Sequence, residues 1–197
     1  CRLPWRQVVD ECLGGGADVI QLREKQFNDR EILDRARWIR AACHEAGALF
    51  VINDRADLAV ASDADGVHIG QEELSVAQCR QLLQPWQLVG VSTHDRGQIQ
   101  NAMDDGVDYI GVGPVFPSST KSFDQFPGLE FVAEAEATAT CPWFAIGGIS
   151  PENVSDVQAR GCCRIAVTSA VLSSLNPRQV VEQLRRAMTS AADIVLP

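Results

Sequence analysis

Four stretches of this chain follow one local pattern, and the pattern limits the fold more than anything else in the sequence. Gly16-Ala17-Asp18-Val19-Ile20, Ala64-Asp65-Gly66-Val67, Gly106-Val107-Asp108-Tyr109-Ile110 and Gly161-Cys162-Cys163-Arg164-Ile165 each set a glycine near a helix end, with a short apolar strand beside it. Short, almost wholly apolar strands alternating with helices require a parallel sheet covered on its outer side. A repeated βα unit leaves two architectures, a closed (β/α)8 barrel or an open doubly wound sheet. No G-x-G-x-x-G opens a helix, so the dinucleotide-binding version of the open sheet loses ground and the TIM barrel is expected.

In order, the pattern predicts a helix from Leu3 to Cys12 and strands at Asp18–Leu22, Ala48–Ile52, Gly66–Ile69, Gln87–Val91, Asp108–Val112, Trp143–Ile146 and Arg164–Val167. Asn28 and Ser75 read as N-caps, Gly47 as a C-cap, and Ser150-Pro151 as a cap and first-turn pair for a helix through Ala159. The closing helix is expected over Pro177–Met188. Residues 1–190 then make one barrel domain and residues 191–197 a tail. Only seven strands are found, so the expectation is a barrel lacking its first strand, whose natural place is before Cys1.

At 197 residues the chain is long enough to bury a full core. The formal net charge of −9 disfavours non-specific nucleic-acid binding, so an anionic ligand must be held by a local cationic cluster. No apolar run approaches the roughly 20 residues of a membrane span, and the chain does not open on a signal-peptide pattern, so a cytoplasmic protein is expected. Seven cysteines without a C-x-x-C pair read as free thiols, with Cys162 and Cys163 pointing to opposite faces.

In parallel α/β folds the chemistry gathers beyond the carboxyl ends of the strands. Those ends here are Gln21-Leu22-Arg23-Glu24-Lys25, Asn53-Asp54, Gln71-Glu72-Glu73, Ser92, Ser118-Ser119-Thr120-Lys121, Gly147-Gly148 and Thr168-Ser169. Hydroxyls, peptide N–H groups and one lysine at 118–121, next to glycines that permit close approach, suit a phosphate or diphosphate. Asp54 and Glu73 are hard oxygen ligands on adjacent strands. They suit either Mg2+ shared with substrate phosphates or general acid–base work, and the nearby Arg23, Lys25 and Lys121 favour the first. Gly148, Thr168 and Ser169, after the last two strands, make a second, metal-free anion site.

Taken together, QLREK (21–25), IND (52–54), DGVHIGQEEL (65–74), GVS (90–92), DYIGVGPVFPSSTK (108–121), FAIGGI (144–149) and AVTSA (166–170) resemble the thiamine phosphate synthase family. The resemblance implies a (β/α)8 barrel and a transferase. It would join 4-amino-2-methyl-5-hydroxymethylpyrimidine diphosphate to a thiazole phosphate, giving thiamine phosphate and diphosphate by a dissociative route. It implies that the QLREK segment, with Gln21, Arg23 and Lys25, binds the pyrimidine diphosphate together with Asn53, Ser92 and Lys121. Arg23, Lys25, Ser92 and Lys121 would be the catalytic set, Asp54 and Glu73 the Mg2+ ligands. Ser118, Ser119, Thr120, Gly148, Thr168 and Ser169 would take the thiazole phosphate. The implied partners are small phosphorylated substrates, with no nucleic acid or membrane.

The chain departs from the family pattern in having Glu at 73 where Asp is usual and Ser at 118 where Thr is usual. Both changes keep the oxygen chemistry. The rival readings are a thiazole tautomerase of the same fold and a binding module without turnover. Pro114, Thr120 and Lys121 favour the synthase, since the tautomerase relatives tend to carry histidine at the position of Pro114. His68 is read as a barrel residue alternating with apolar neighbours and is given no role.

Overall fold

The structure, a computed structural model, describes residues 2–117 and 126–192. Helices and strands alternate throughout: α1 (Trp5–Gly14), β1 (Val19–Leu22), α2 (Asp29–Ala46), β2 (Leu49–Asn53), α3 (Ala56–Ala61), β3 (Gly66–Ile69), α4 (Val76–Leu82) and β4 (Leu88–Thr93). The second half continues with α5 (Arg96–Asp104), β5 (Tyr109–Val112), α6 (Gly128–Thr138), β6 (Trp143–Ile146), α7 (Val154–Gln158), β7 (Ile165–Ala166), α8 (Ser169–Leu172) and α9 (Pro177–Ala192). All seven strands of the described residues are parallel and stand in chain order from β1 to β7. A doubly wound sheet needs a reversal of strand order; none occurs here, and the arrangement is TIM-like.

Local chemistry explains the boundaries. Asn28 Oδ1 accepts the Glu31 N–H at 3.1 Å while Glu31 Oε2 takes the Asn28 N–H at 3.3 Å, a capping box that starts α2. Gly47, with φ 71°, ends the same helix in the left-handed region. Ser75 and Gln78 repeat the capping box for α4. The outward strand faces meet the helices in one continuous core that includes Phe50, Ile52, Val67, Ile69, Val89, Val91, Ile110 and Val112. Cys162 is buried and Cys163 exposed, on opposite sides of the chain.

Three sequence expectations are corrected. The helix after Ser150-Pro151 begins only at Val154, because the Asn153 side chain accepts the Ser150 N–H at 2.8 Å and donates to the Gly148 carbonyl at 2.9 Å, holding 150–153 as a turn. β4 runs on through Ser92 and Thr93, where Ser92 pairs with Gly111 and Thr93 with Val112. Thr168-Ser169, after β7, leads into the four-residue helix α8. The closing helix also continues past Met188 to Ala192.

At the amino-terminal side of the sheet one clamp occurs three times. Arg40 (α2) lies 3.6 Å from Asp65 Oδ1, and its Nε donates to the Asp63 carbonyl at 2.6 Å. Arg80 (α4) lies 2.6 Å from Asp108 Oδ2 and bonds the Gly106 carbonyl at 3.4 Å. Arg185 (α9) lies 2.9 Å from Asp18 Oδ1 and bonds the Gly16 carbonyl at 2.6 Å. In each case the aspartate follows by two positions a residue with positive φ: Gly16 at 89°, Asp63 at 56° and Gly106 at 71°. Asp65 Oδ2 also accepts the Phe50 N–H of β2 at 2.7 Å, and Asp108 Oδ2 the Val89 N–H of β4 at 2.6 Å. Asp18 sits at the edge strand β1, where no preceding strand lies among the described residues.

Candidate active site

In-register parallel pairs share a face, and this fixes which polar groups look inward. Gln21 pairs with Val51, Asn53 with His68, His68 with Gly90, Gly90 with Tyr109, and Ser92 with Gly111. Counting along each strand in steps of two puts Gln21, Asn53, His68, Ser92 and Tyr109 on the inner face, toward the carboxyl ends of β1 to β5. Leu22 has the opposite parity and packs with the core under the helices.

Beyond Leu22 the chain turns around Glu24, whose Oε1 accepts the N–H groups of Lys25 and Gln26 at 2.8 and 2.9 Å. Glu24 Oε2 is also 3.9 Å from Arg35 of α2, so this carboxylate shapes the loop that presents its neighbours. Arg23 makes no ion pair among the described residues and is exposed. Lys25 Nζ stands 3.7 Å from Asp54 Oδ2, joining the ends of β1 and β2. Asp54 has φ 65° and donates its N–H to the His68 carbonyl at 2.8 Å, which turns the chain sharply at the strand end. Behind it, Arg55 bridges Asp29 at 2.8 Å and Asp57 at 2.6 Å, anchoring this loop to the start of α2 and holding both carboxyls below their usual range.

Glu73 lies after β3 with its carboxylate folded over Gly70, where an added Cβ would stand 2.4 Å from Oε2. Among the described residues no group of three or more His, Cys, Asp or Glu side chains is placed to hold a metal ion. Asp54 and Glu73, at adjacent strand ends, offer carboxylate oxygens.

Ser92 is fixed at both ends. Gln71 Nε2 donates to its carbonyl at 2.7 Å, and its Oγ lies 2.9 Å from His68 Nε2. The other ring nitrogen of His68, Nδ1, is 3.2 Å from the Tyr109 hydroxyl. Tyr109 stacks edge-on with Phe144 at 5.6 Å, and its ring lies against Gly90, leaving no room for a side chain there. Burial pushes the Tyr109 phenol well above its usual pKa, so it keeps its proton. Sequence reading assigns His68 no role, because a lone histidine between apolar neighbours has no spacing signal; the strand register reveals it.

The loop after β5 lies across the end of β6. Val115 N–H donates to the Ile146 carbonyl at 2.9 Å and Phe116 N–H to the Gly147 carbonyl at 3.0 Å. A Cβ on Gly148, which has φ 63°, would stand 2.6 Å from the Pro117 carbonyl oxygen, so only glycine admits this crossing. The start of the 113–121 loop is thus brought beside Gly148. Ser118, Ser119, Thr120 and Lys121 lie outside the described residues. Thr168 and Ser169 stand at the start of α8, after β7, which neighbours β6.

A parallel βα fold commonly carries its ligand site at the carboxyl ends of the strands, where Lys25, Asp54 and the glycine crossing at Gly148 stand here. Comparison with known proteins gives the family. The model of the thiamine monophosphate synthase family matches residues 4–171, and the chain belongs to that family. Thiamine-phosphate synthase of Nostoc punctiforme is 44% identical over 176 residues, 89% of this chain and 50% of the relative. The Synechocystis protein of the same name is 43% identical over 176 residues, 89% of this chain and 51% of the relative. The chain thus spans about half the length of the curated relatives it matches. A thiamine phosphate pyrophosphorylase from Pyrococcus furiosus superposes with a TM-score of 0.89 at 34% identity, covering 95% of this chain and 91% of that one. A 3-hexulose-6-phosphate synthase, at 18% identity and TM-score 0.69, shares the fold alone.

Proposed function

We propose that this chain forms thiamine phosphate from hydroxymethylpyrimidine diphosphate and a thiazole phosphate. The observation that carries the reading is the Lys25–Asp54 contact at 3.7 Å, which sets a cation and a carboxylate side by side at the ends of β1 and β2, with Asn53 at the end of β2 and Ser92 near the end of β4 on the same inner face. A diphosphate leaving group needs both: positive charge for its developing negative charge, and carboxylate oxygen for a divalent ion. Family membership and the two named relatives support the same reaction.

Asp54 and Glu73 fit Mg2+ by donor chemistry, since this ion is usually held by one or two carboxylates with substrate phosphates completing its shell. When bound, the ion would neutralise charge on the diphosphate oxygens. Arg23 and Lys25 hold the diphosphate from the β1 side, and Lys121 serves the same end from the β5–α6 loop. The bond from the pyrimidine methylene carbon to the diphosphate oxygen breaks, and its electron pair leaves with the diphosphate. The thiazole nitrogen then donates its lone pair to that carbon. Gln21, Asn53 and Ser92 orient the pyrimidine diphosphate. Gly148, Thr168, Ser169 and the 118–120 hydroxyls hold the thiazole phosphate so that its nitrogen faces the reacting carbon. No protein nucleophile is required. Thiamine phosphate appearing only when both substrates are supplied, followed by mass, tests the reading.

The same proposal includes closure of the sheet into a (β/α)8 barrel by an eighth strand between β7 and β1. The threefold arginine–aspartate clamp supports it. Asp65 and Asp108 each receive the N–H of a preceding strand, and Asp18, held by Arg185 in the same way, marks the corresponding place on β1. Val19, Leu49 and Ile146, apolar residues on the inner face, are exposed at 37%, 42% and 36%, as expected for a barrel wall that is still open.

A further inference from the structure

The inner wall holds a hydrogen-bonded line that crosses three strands: Tyr109 on β5, His68 on β3 and Ser92 on β4. Two glycines make room for it. A Cβ on Gly90 would stand 2.0 Å from the Tyr109 ring, and one on Gly111 would stand 3.3 Å from His68 Cε1. His68 is 8% exposed, so its ring has little water to bond and depends on its protein partners.

The direction of each proton follows from the donors available. Among the described residues, the hydrogen-bond partner of the Tyr109 hydroxyl is His68 Nδ1, at 3.2 Å. A phenol donates readily to an unprotonated ring nitrogen. A neutral imidazole that accepts at Nδ1 carries its hydrogen on Nε2. That N–H points along the 2.9 Å contact to Ser92 Oγ. Ser92 then accepts from His68, and its own proton is free to rotate away from the wall. The opposite tautomer would use up the Ser92 proton on His68 and leave only lone pairs facing a bound ligand.

We propose that His68 is a positioning residue, oriented by Tyr109, that makes the Ser92 hydroxyl a hydrogen-bond donor toward an acceptor atom of the bound substrate. The acceptor is a ring nitrogen or an anionic oxygen, both of which a pyrimidine diphosphate carries. This inference rests on the transferase reading for the identity of the ligand, but the line of hydrogen bonds stands on geometry alone. The clamp on the Ser92 carbonyl by Gln71, at 2.7 Å, fits the same role, since it fixes the backbone from which the hydroxyl swings.

Two measurements test it. The first is nitrogen NMR of ring-labelled histidine, with the His68 signals assigned by their loss in His68→Gln. The expected spectrum has a protonated Nε2 and an unprotonated Nδ1, and Tyr109→Phe shifts the ring toward the Nδ1–H form. An Nδ1–H ring in the unmodified chain overturns the proposal, whether or not the chain is active. The second is turnover. His68→Leu is expected to lower kcat by about 10- to 100-fold, the loss of one well-placed hydrogen bond. His68→Gln, whose amide can still donate near the Nε2 position, recovers much of that loss. In a Ser92→Ala background the His68→Leu change costs little more, as two residues acting through one hydroxyl require. Equal losses for Leu and Gln, or an undiminished loss in the Ser92→Ala background, would make His68 a packing residue. Absence of turnover in the unmodified chain would count against the transferase reading, and the NMR result alone would then decide the role of His68.

Discussion

Arg185 Nη1 lies 2.9 Å from Asp18 Oδ1, so the last helix is pinned to the turn that opens the first strand. The contact repeats Arg40 with Asp65 and Arg80 with Asp108, each arginine coming from the helix that precedes the strand clamped. In the proposed closed barrel α9 would lie between β7 and the strand beside β1, so the third clamp would continue the cycle around the sheet.

That cycle predicts unequal costs at three similar aspartates. Asp65→Ala and Asp108→Ala each strip a charged acceptor from a strand N–H and should cost about 1.5–3 kcal/mol. Asp18, 83% exposed at its side chain and with no preceding strand among the described residues, should cost about 0.5 kcal/mol or less as Asp18→Ala. Urea denaturation of the three variants measures the difference. In a chain that carries the eighth strand, the cost at position 18 should rise to match the other two. Equal costs at all three sites in this chain would break the argument.

Lys25 is more than half exposed, and replacing it should leave the fold intact. Lys25→Ala is expected to lower diphosphate release by about 100-fold or more, the usual loss when one charge-stabilising group is removed from a reaction centre. Thermal denaturation of the variant should overlay that of the unmodified chain. Unchanged release would take Lys25 out of the site.

Gly90→Ala should be among the more damaging small substitutions. Its methyl group would meet the Tyr109 ring at 2.0 Å, and the ring, packed against Phe144, has to shift. A loss of about 1–3 kcal/mol is expected from overpacking. The same shift should pull the Tyr109 hydroxyl off His68, visible as a change in the histidine ring signals.

Alkali should destabilise the chain through its buried thiols. Burial pushes Cys43 up to about 12 and Cys12 up to about 11, above the ordinary value of 9.0. A thiol raised on folding stabilises fully below its unfolded pKa, and that contribution is lost as pH rises through the folded value. Stability should therefore fall between about pH 9 and 12, by about 2 kcal/mol for Cys43 at pH 10.5. Urea midpoints at pH 7.5 and 10.5 measure the drop. Cys43→Ala should make it smaller, and an equal drop in that variant would rule out this thiol as a cause.

Much of the scaffold was legible because local chemistry and tertiary structure agree. Asn28, Ser75 and Gly47 cap where their side chains or backbone freedom demand, and the strands at Gly66–Ile69 and Trp143–Ile146 fall where the apolar runs do. The sequence misled where a side chain outbid the local signal. Asn153 delays α7, and the Thr93 hydroxyl, bonded to the Gly111 carbonyl at 2.9 Å, helps carry β4 past the apolar run. Helix α8, four residues long, is too short to show a period. The strand ends read from the sequence include Lys25, Asp54 and Ser92, and the structure sets Lys25 beside Asp54 and Ser92 at the end of β4. They do not include the His68 and Tyr109 support behind Ser92, because that depends on which residues lie opposite one another across three strands.

The proposed transferase releases diphosphate from one substrate as it joins that substrate's pyrimidine to the thiazole of the other. Diphosphate release should be followed with Mg2+, hydroxymethylpyrimidine diphosphate and thiazole phosphate, each left out in turn, and again with Asp54→Asn and Glu73→Gln. The account predicts release that needs all three components and falls sharply in both variants. Release at the same rate without thiazole phosphate, or none at all while thiazole phosphate still binds, would contradict it.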